Sequence, residues 1–247
     1  MGPENFEQFK KEHEAEIEEV NDKGEDTIKE YAEEGIDKLE ELELLSDNDK
    51  TDILLIWRGL KQATGFEYGY SWKPGEEEKH LADEELNKLK QTIEDMGLYI
   101  KEGEREQQEA AEEVPEGEVT RTYAGYDKVW IYIGRDKESA EQWENADHIK
   151  TPDTLGALSG YPQSAIDAYE EATKEVPYGE KLKEMVYSDE LPEEIKEEDF
   201  AAFVQFFLSR DNWQEEIETV KKWAQEIKRT DPALYERIVE NYKNRLR

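Results

Sequence analysis

The sequence predicts an α+β protein, predominantly helical, with a small β-sheet packed among about eight helices. Three observations carry that prediction. Val129, Trp130, Ile131, Tyr132 and Ile133 are all β-branched or aromatic and stop at Gly134, the composition of a buried strand. Elsewhere apolar residues recur every three or four positions, the spacing of amphipathic helices. The 247-residue chain also spreads 6 Trp, 13 Tyr and 7 Phe along its length, enough for a sizeable core although only 36% of residues are hydrophobic and 39% are charged.

Taken in order, Phe6, Phe9, His13, Ile17 and Val20 share one face of an acidic helix over residues 4–20. After the turn-like NDKGED, Ile28, Tyr31, Ala32, Gly35, Ile36, Leu39 and Leu42 define a second helix ending near SDND, whose side chains can cap the next. That next helix, over 50–63, holds Ile53 to Trp57 and Leu60 and is apolar enough to be buried on most sides. The glycines and proline of GFEYGYSWKPGEEE predict a loop. ADEELNKLKQTIEDMG reads as a helix with Asp83 at its N-cap, Leu86, Leu89, Ile93 and Met96 on one face, and Gly97 just past its end. A short strand over 98–101 follows.

Residues 102–117 are rich in Glu and Gln with almost no large apolar side chain, which predicts an exposed acidic linker or a solvated helix. Strand-like runs near 119–123 and 128–133 then flank AGYD in a hairpin-like pattern. Beyond Gly134, one helix carries Ala140 and Trp143, the loop LGALSGYP intervenes, and a second helix carries Ala165, Ile166 and Tyr169. Pro177 and Pro192 bracket a weaker helix over 179–187, and DFAAFVQFFL predicts a very hydrophobic one within 197–209. Asp211 is placed to cap a helix with Trp213, Ile217, Val220, Trp223, Ala224 and Ile227, and Asp231-Pro232 to open another, the two closing the fold as an antiparallel hairpin. The chain thus divides into an N-terminal helical part (1–101), the linker (102–117), a strand–loop–helix core part (118–209) and a C-terminal helical hairpin (210–247), or folds as one compact domain.

Acidic residues number 65 against 32 basic, a net charge of −33. Self-repulsion on that scale destabilises a compact state at low ionic strength and is screened in concentrated salt, where the Debye length falls to about 3 Å at 1 M. The composition therefore points first to a salt-adapted cytosol, with an acidic mesophilic protein as the alternative. The charge is uneven: residues 210–247 hold 9 basic and 8 acidic side chains, leaving a net of −34 for residues 1–209. Only the last segment could approach a phosphate backbone without a large penalty, which argues against direct nucleic-acid binding.

With no cysteine, the chain has no disulfide, thiol nucleophile, cysteine-ligated zinc or iron–sulfur cluster. The acidic N-terminus has no apolar signal core and no apolar run approaches a membrane span, so a cytoplasmic protein without a membrane partner is expected. His13, His80 and His148 stand alone, without the i, i+4 spacing of a helical metal site, and neither a metal nor a cofactor is expected. Phosphate-binding glycine loops are absent, and Ser159 is misplaced for a GxSxG elbow.

What remains is the neighbourhood of the central strand. Arg135, one of only nine arginines, follows that strand directly and reads either as a surface salt bridge to Asp136 or Glu138 or as an anion clamp. Ser159, Gly160, Tyr161 and Ser164 belong to the loop before a helix whose free amides could hold a small anion, and Asp153 lies on the approach to it. Ser159 and Ser164 also read simply as loop and N-cap residues. These seven are the candidate ligand-binding residues.

VWIYIGRDKESAEQWENA followed by TLGALSGYPQSAIDAYEE resembles the archaeal proteins grouped as domain of unknown function 483. The likeness is in the order of parts: a strand ending in IG-R/K-D, a helix with small residues, then L-x-GYP before a helix with an aromatic face. IWRGLKQATGFE and EELNKLKQTIEDMGL also fit the N-terminal half of that family. Some such proteins carry cysteines after the proline, where this chain has Ser164 and Ala165, so no thiol or metal role carries over. The resemblance implies an archaeal cytosolic protein of no established activity.

The expected function is a non-catalytic binding or scaffolding protein with a protein or small-molecule partner; the rival is an enzyme or sensor for a small anion held at residues 160–164 beside Arg135. The charge makes its own prediction. Thermal stability should rise from low salt to molar KCl, and a melting temperature that stays flat or falls across that series refutes salt adaptation.

Overall fold

In the computed structural model, which describes residues 35–113, 121–174, 178–187 and 191–247, the chain opens with helical residues 35–40 (α1) and the helix α2 (Asp47–Trp57). Ser46 caps α2 as its sequence promises: the hydroxyl accepts from Asp49 N while the Asp49 carboxylate accepts from Ser46 N. Ile53, Leu54, Leu55 and Ile56 have no exposed surface, each burial being worth about 2 kcal/mol. The helix ends at Trp57, earlier than predicted, because Gly59 adopts φ +72 and turns the chain into a strand. The predicted helix over 4–20, most of the following one, and His13 lie outside the described residues.

Strand β1 (Ala63–Trp72) occupies the stretch predicted to be a loop. Its buried Phe66, Tyr68 and Trp72 alternate as a strand requires, and its glycines are close-approach positions rather than turns. A Cβ at Gly65 would lie 2.3 Å from Trp143 Nε1. Helix α3 (Asp83–Asp95) follows, with Ala82 at the N-cap and the predicted cap Asp83 one position inside. Gly97 terminates it at φ +73, letting Leu98 N donate back to Ile93 O.

The predicted short strand at 98–101 is the start of a ten-residue strand, β2 (Tyr99–Gln108), so residues 102–108 are not linker but sheet. Composition misleads here because β2 is an edge strand, half-buried at residues 99–101 and mostly exposed beyond, that pairs with β5 through its backbone. β3 (Ala111–Glu113) pairs with β4 (Arg121–Tyr123) in a separate two-stranded ribbon. β5 (Gly125–Gly134) pairs antiparallel with both β1 and β2, giving a sheet of order β1-β5-β2. The AGYD hairpin is therefore absent: β4 and β5 run consecutively and find different partners. Val129, Ile131 and Ile133 of β5 join Phe66 and Tyr68 on the face that packs into the core.

Helix α4 (Lys137–Ile149) covers the opposite face, with Ala140 buried and Trp143 over Gly65. Then come α5 (Pro152–Leu158), α6 (Gln163–Lys174), α7 (Tyr178–Met185), and β6 (Val186–Tyr187), which pairs with β7 (Leu208–Ser209). DFAAFVQFFL is not an α-helix: a single 3-10 turn, Asp199–Phe203, gives way to extended backbone at Val204. This lets Phe203 enter the core while Val204, Phe206 and Phe207 line a cavity, so two surfaces share one apolar run. Helices α8 (Trp213–Thr230) and α9 (Pro232–Leu246) pack on each other, with Asp231 accepting from Leu234 N to start α9. Asn212, not Asp211, stands at the start of α8.

One ion pair ties β2 to β5. Asp127, fully buried, accepts from Arg105 Nε at 2.7 Å and Nη2 at 2.8 Å, from Gln107 Nε2 at 3.0 Å and from Leu81 N at 3.1 Å. These bonds, the Arg105 contact foremost, hold its carboxyl well below the usual carboxylate range. Its stabilising contribution is therefore complete above the unfolded-state pKa of about 3.9 and is lost as pH falls below that value. Arg105→Ala, which leaves the carboxylate buried without its cation, should cost about 3 kcal/mol in urea unfolding at pH 7. The stability difference between the parent and Asp127→Asn should shrink as pH drops from 5 toward 2; a difference that is constant over that interval contradicts the assignment.

Candidate functional site

A short backbone bridge builds the site. Gln62 N donates to Leu158 O at 2.8 Å and Gln62 O accepts from Arg135 N at 2.9 Å, so one residue joins the end of β5 to the end of α5. Gly160, at φ +71, then passes so close to Leu60 that a Cβ would lie 2.5 Å from its carbonyl oxygen. Pro162 O accepts from Ala165 N and Ile166 N and starts α6. These bonds fix the turn between α5 and α6, and the extended segment after Phe203 lines the same cavity as the two helices.

The result is a cavity of about 590 Å³. Leu155, Gly156 and Ser159 contribute from α5, Ala165, Ile166 and Tyr169 from α6, and Trp143 from α4. The far wall is Val204, Gln205, Phe206 and Phe207, with Tyr187 and Leu191 closing one side. Rings brace the wall: Phe206 lies 5.1 Å from Tyr161 and edge-on to Trp223 at 5.9 Å, and Phe207 stacks on Tyr169 at 5.4 Å.

Behind the wall sits a polar cluster. Lys61, only 2% exposed, donates through Nζ to Asp52 Oδ1 at 2.7 Å and to Gln205 Oε1, and Thr64 Oγ1 donates to Asp52 Oδ2 at 3.0 Å. The ammonium also lies 4.6 Å from the Trp223 ring and 5.6 Å from that of Tyr161. Burial lowers the Lys61 pKa, with the Asp52 carboxylate opposing. Burial pushes the Tyr161 phenol up to about 12, Asp52 adding to the effect and the Ser159 hydroxyl opposing it.

Of the predicted site residues, Ser159 and Tyr161 line the cavity and Gly160 sits between them. Ser164 lies within α6 and donates to Glu216 Oε1 at 2.7 Å. Glu216, 1% exposed, also accepts from Ser209 N at 2.7 Å and Ser209 Oγ at 2.6 Å, so the chain's own carboxylate faces Ser164. Arg135 and Asp136 stand outside the cavity lining: their side chains are 3.9 Å apart and more than half exposed, and Asp136 caps α4 through Ser139. Asp153 is exposed in the first turn of α5.

Lys61, Trp143, Gln205, Phe206 and Phe207 are among the site residues that sequence reasoning did not select. The available signal was Gln205, a lone amide inside the apolar run DFAAFVQFFL. Among the described residues no three His, Cys, Asp or Glu side chains gather as a metal site requires. His80 meets Asp127 at 3.3 Å and His148 lies edge-on to Tyr132 at 6.4 Å. No described helix is long and apolar enough to cross a membrane.

Compared with protein-family models, with curated proteins and with solved structures, the chain matches none.

Glu216 anchors α6 and β7 to α8, and its loss strands three donors in a buried place. Glu216→Ala should cost about 3 kcal/mol in urea unfolding, at about 1 kcal/mol or more per unsatisfied group. Glu216→Gln, which keeps one accepting oxygen, should cost less. Equal and small losses would show that the carboxylate does not organise these elements.

Proposed function

We propose that this is a non-catalytic binding protein whose cavity between α5, α6 and the segment Val204–Phe207 holds an uncharged, largely aromatic small molecule. One observation carries the reading: in a protein of net charge −33, none of the described residues lining the cavity bears a charge. Its volume falls within the range of about 300–1,000 Å³ typical of ligand sites, and its walls are mostly aromatic and aliphatic. Tyr161, with its pKa near 12, keeps its proton at any physiological pH and offers a hydroxyl rather than a base. The salt-adapted archaeal cytosol belongs to the same proposal, supported by the acidic composition, as does kinship with the domain of unknown function 483, supported by its motif order alone.

The test is a fluorescence titration with N-phenyl-1-naphthylamine, an uncharged probe that brightens in apolar surroundings. Saturable binding should appear in the parent and weaken at least tenfold in Leu155→Trp, which fills the cavity from a half-buried position on α5. The dissociation constant should change less than about twofold between pH 6 and 9, because the Tyr161 phenol does not titrate there. Equal binding by parent and Leu155→Trp would sink the proposal.

A further inference from the structure

The orientation of one side-chain amide in the cavity is fixed by chemistry. The Lys61 ammonium has three donors and no acceptor, so the atom of Gln205 that meets it must be the amide oxygen. The opposite assignment would set N–H against N–H. With its oxygen committed to Lys61, Gln205 keeps its NH2 group for other partners, and among the described residues nothing accepts from it. Because Gln205 lines the cavity, that NH2 is a donor available to an occupant.

The ammonium does more than orient the amide. It lies almost wholly out of water, held by Asp52 and the faces of Trp223 and Tyr161, so it withdraws electron density from the amide through the oxygen it binds. The N–H bonds on the cavity side become stronger donors. Ser159 and Tyr161 add hydroxyls to the lining, while Phe206 and Phe207, which follow Gln205 along the wall, offer only ring surface.

Building on the binding reading above, we propose that the cavity selects flat, uncharged aromatic molecules that carry a hydrogen-bond acceptor, a carbonyl oxygen or a ring nitrogen, and that Gln205 is the residue that reads this acceptor. Lys61 is a positioning residue that acts through Gln205. An analogue without the acceptor leaves the amide donor buried against hydrocarbon, which is the source of discrimination.

The experiment compares 2-acetylnaphthalene with 2-isopropylnaphthalene, which has the same shape and no acceptor, each displacing N-phenyl-1-naphthylamine. Both are measured on the parent and on Gln205→Glu. The variant keeps an oxygen for Lys61 and offers the cavity no donor, so the ratio of the two dissociation constants should shift about tenfold against the ketone. As a measurement independent of any variant's folding, the infrared carbonyl stretch of 13C-labelled 2-acetylnaphthalene bound to the parent should lie below its frequency in heptane. If both naphthalenes displace the probe with a ratio that Gln205→Glu leaves unchanged, or the stretch stays at its heptane value, the role of Gln205 is overturned and the binding function stands. If neither naphthalene displaces the probe, the binding function falls with it.

Discussion

The buried ammonium of Lys61 sits where the parts of this protein meet. Lys61 joins Asp52 of α2 to Gln205 of the segment that walls the cavity, and it lies against the rings of Tyr161 and Trp223. The next residue, Gln62, hydrogen-bonds through its backbone to both α5 and the end of β5. Sheet, core helix, cavity wall and α8 are therefore all fixed relative to two consecutive residues. Desolvating the ammonium costs several kcal/mol, offset by the carboxylate, the amide oxygen and two aromatic faces. An arrangement with that many partners specifies position as well as energy, because displacing any one of them leaves the charge under-compensated.

The same economy governs the acids. Among the described residues most carboxylates are exposed or half-buried, but three are buried, and each accepts a backbone N–H that the fold would otherwise leave exposed to apolar surroundings. Asp127 takes Leu81 N just ahead of α3, Glu216 takes Ser209 N at β7, and Asp231 takes Leu234 N at the start of α9. Buried acid in this chain marks a place where secondary structure begins or ends. The repulsive surface and the organising interior use one residue type in two dielectric settings.

Much of this was legible. The β-branched and aromatic run ending at Gly134, the Ser46 and Asp231 caps, and the helical spacing of α3, α4, α8 and α9 are local signals, and local signals survive into the structure. What was hidden depends on tertiary contact. The glycines of β1 read as turns until Trp143 is seen lying over Gly65, and β2 reads as a linker because an edge strand needs no apolar side chains to pair. The cavity shows the same limit. Ser159 and Tyr161 could be picked from a Gly/Pro loop, whereas Gln205 and Phe206 come from a run whose composition predicts a helix and whose real shape is set by partners on α5, α6 and α8.

A neutral cavity is also the kind that suits this surface. A net charge of −33 repels an anionic ligand at low salt, and the salt that screens the repulsion would equally screen any attraction a cationic ligand gained. Affinity for a charged ligand would thus drift with ionic strength. Affinity built from ring contacts and one short-range amide donor does not, since neither depends on charges a Debye length apart. Lys61 fits that scheme: its charge is spent within the protein, on Asp52 and on the amide it polarises, and reaches the occupant only as the strength of a hydrogen bond.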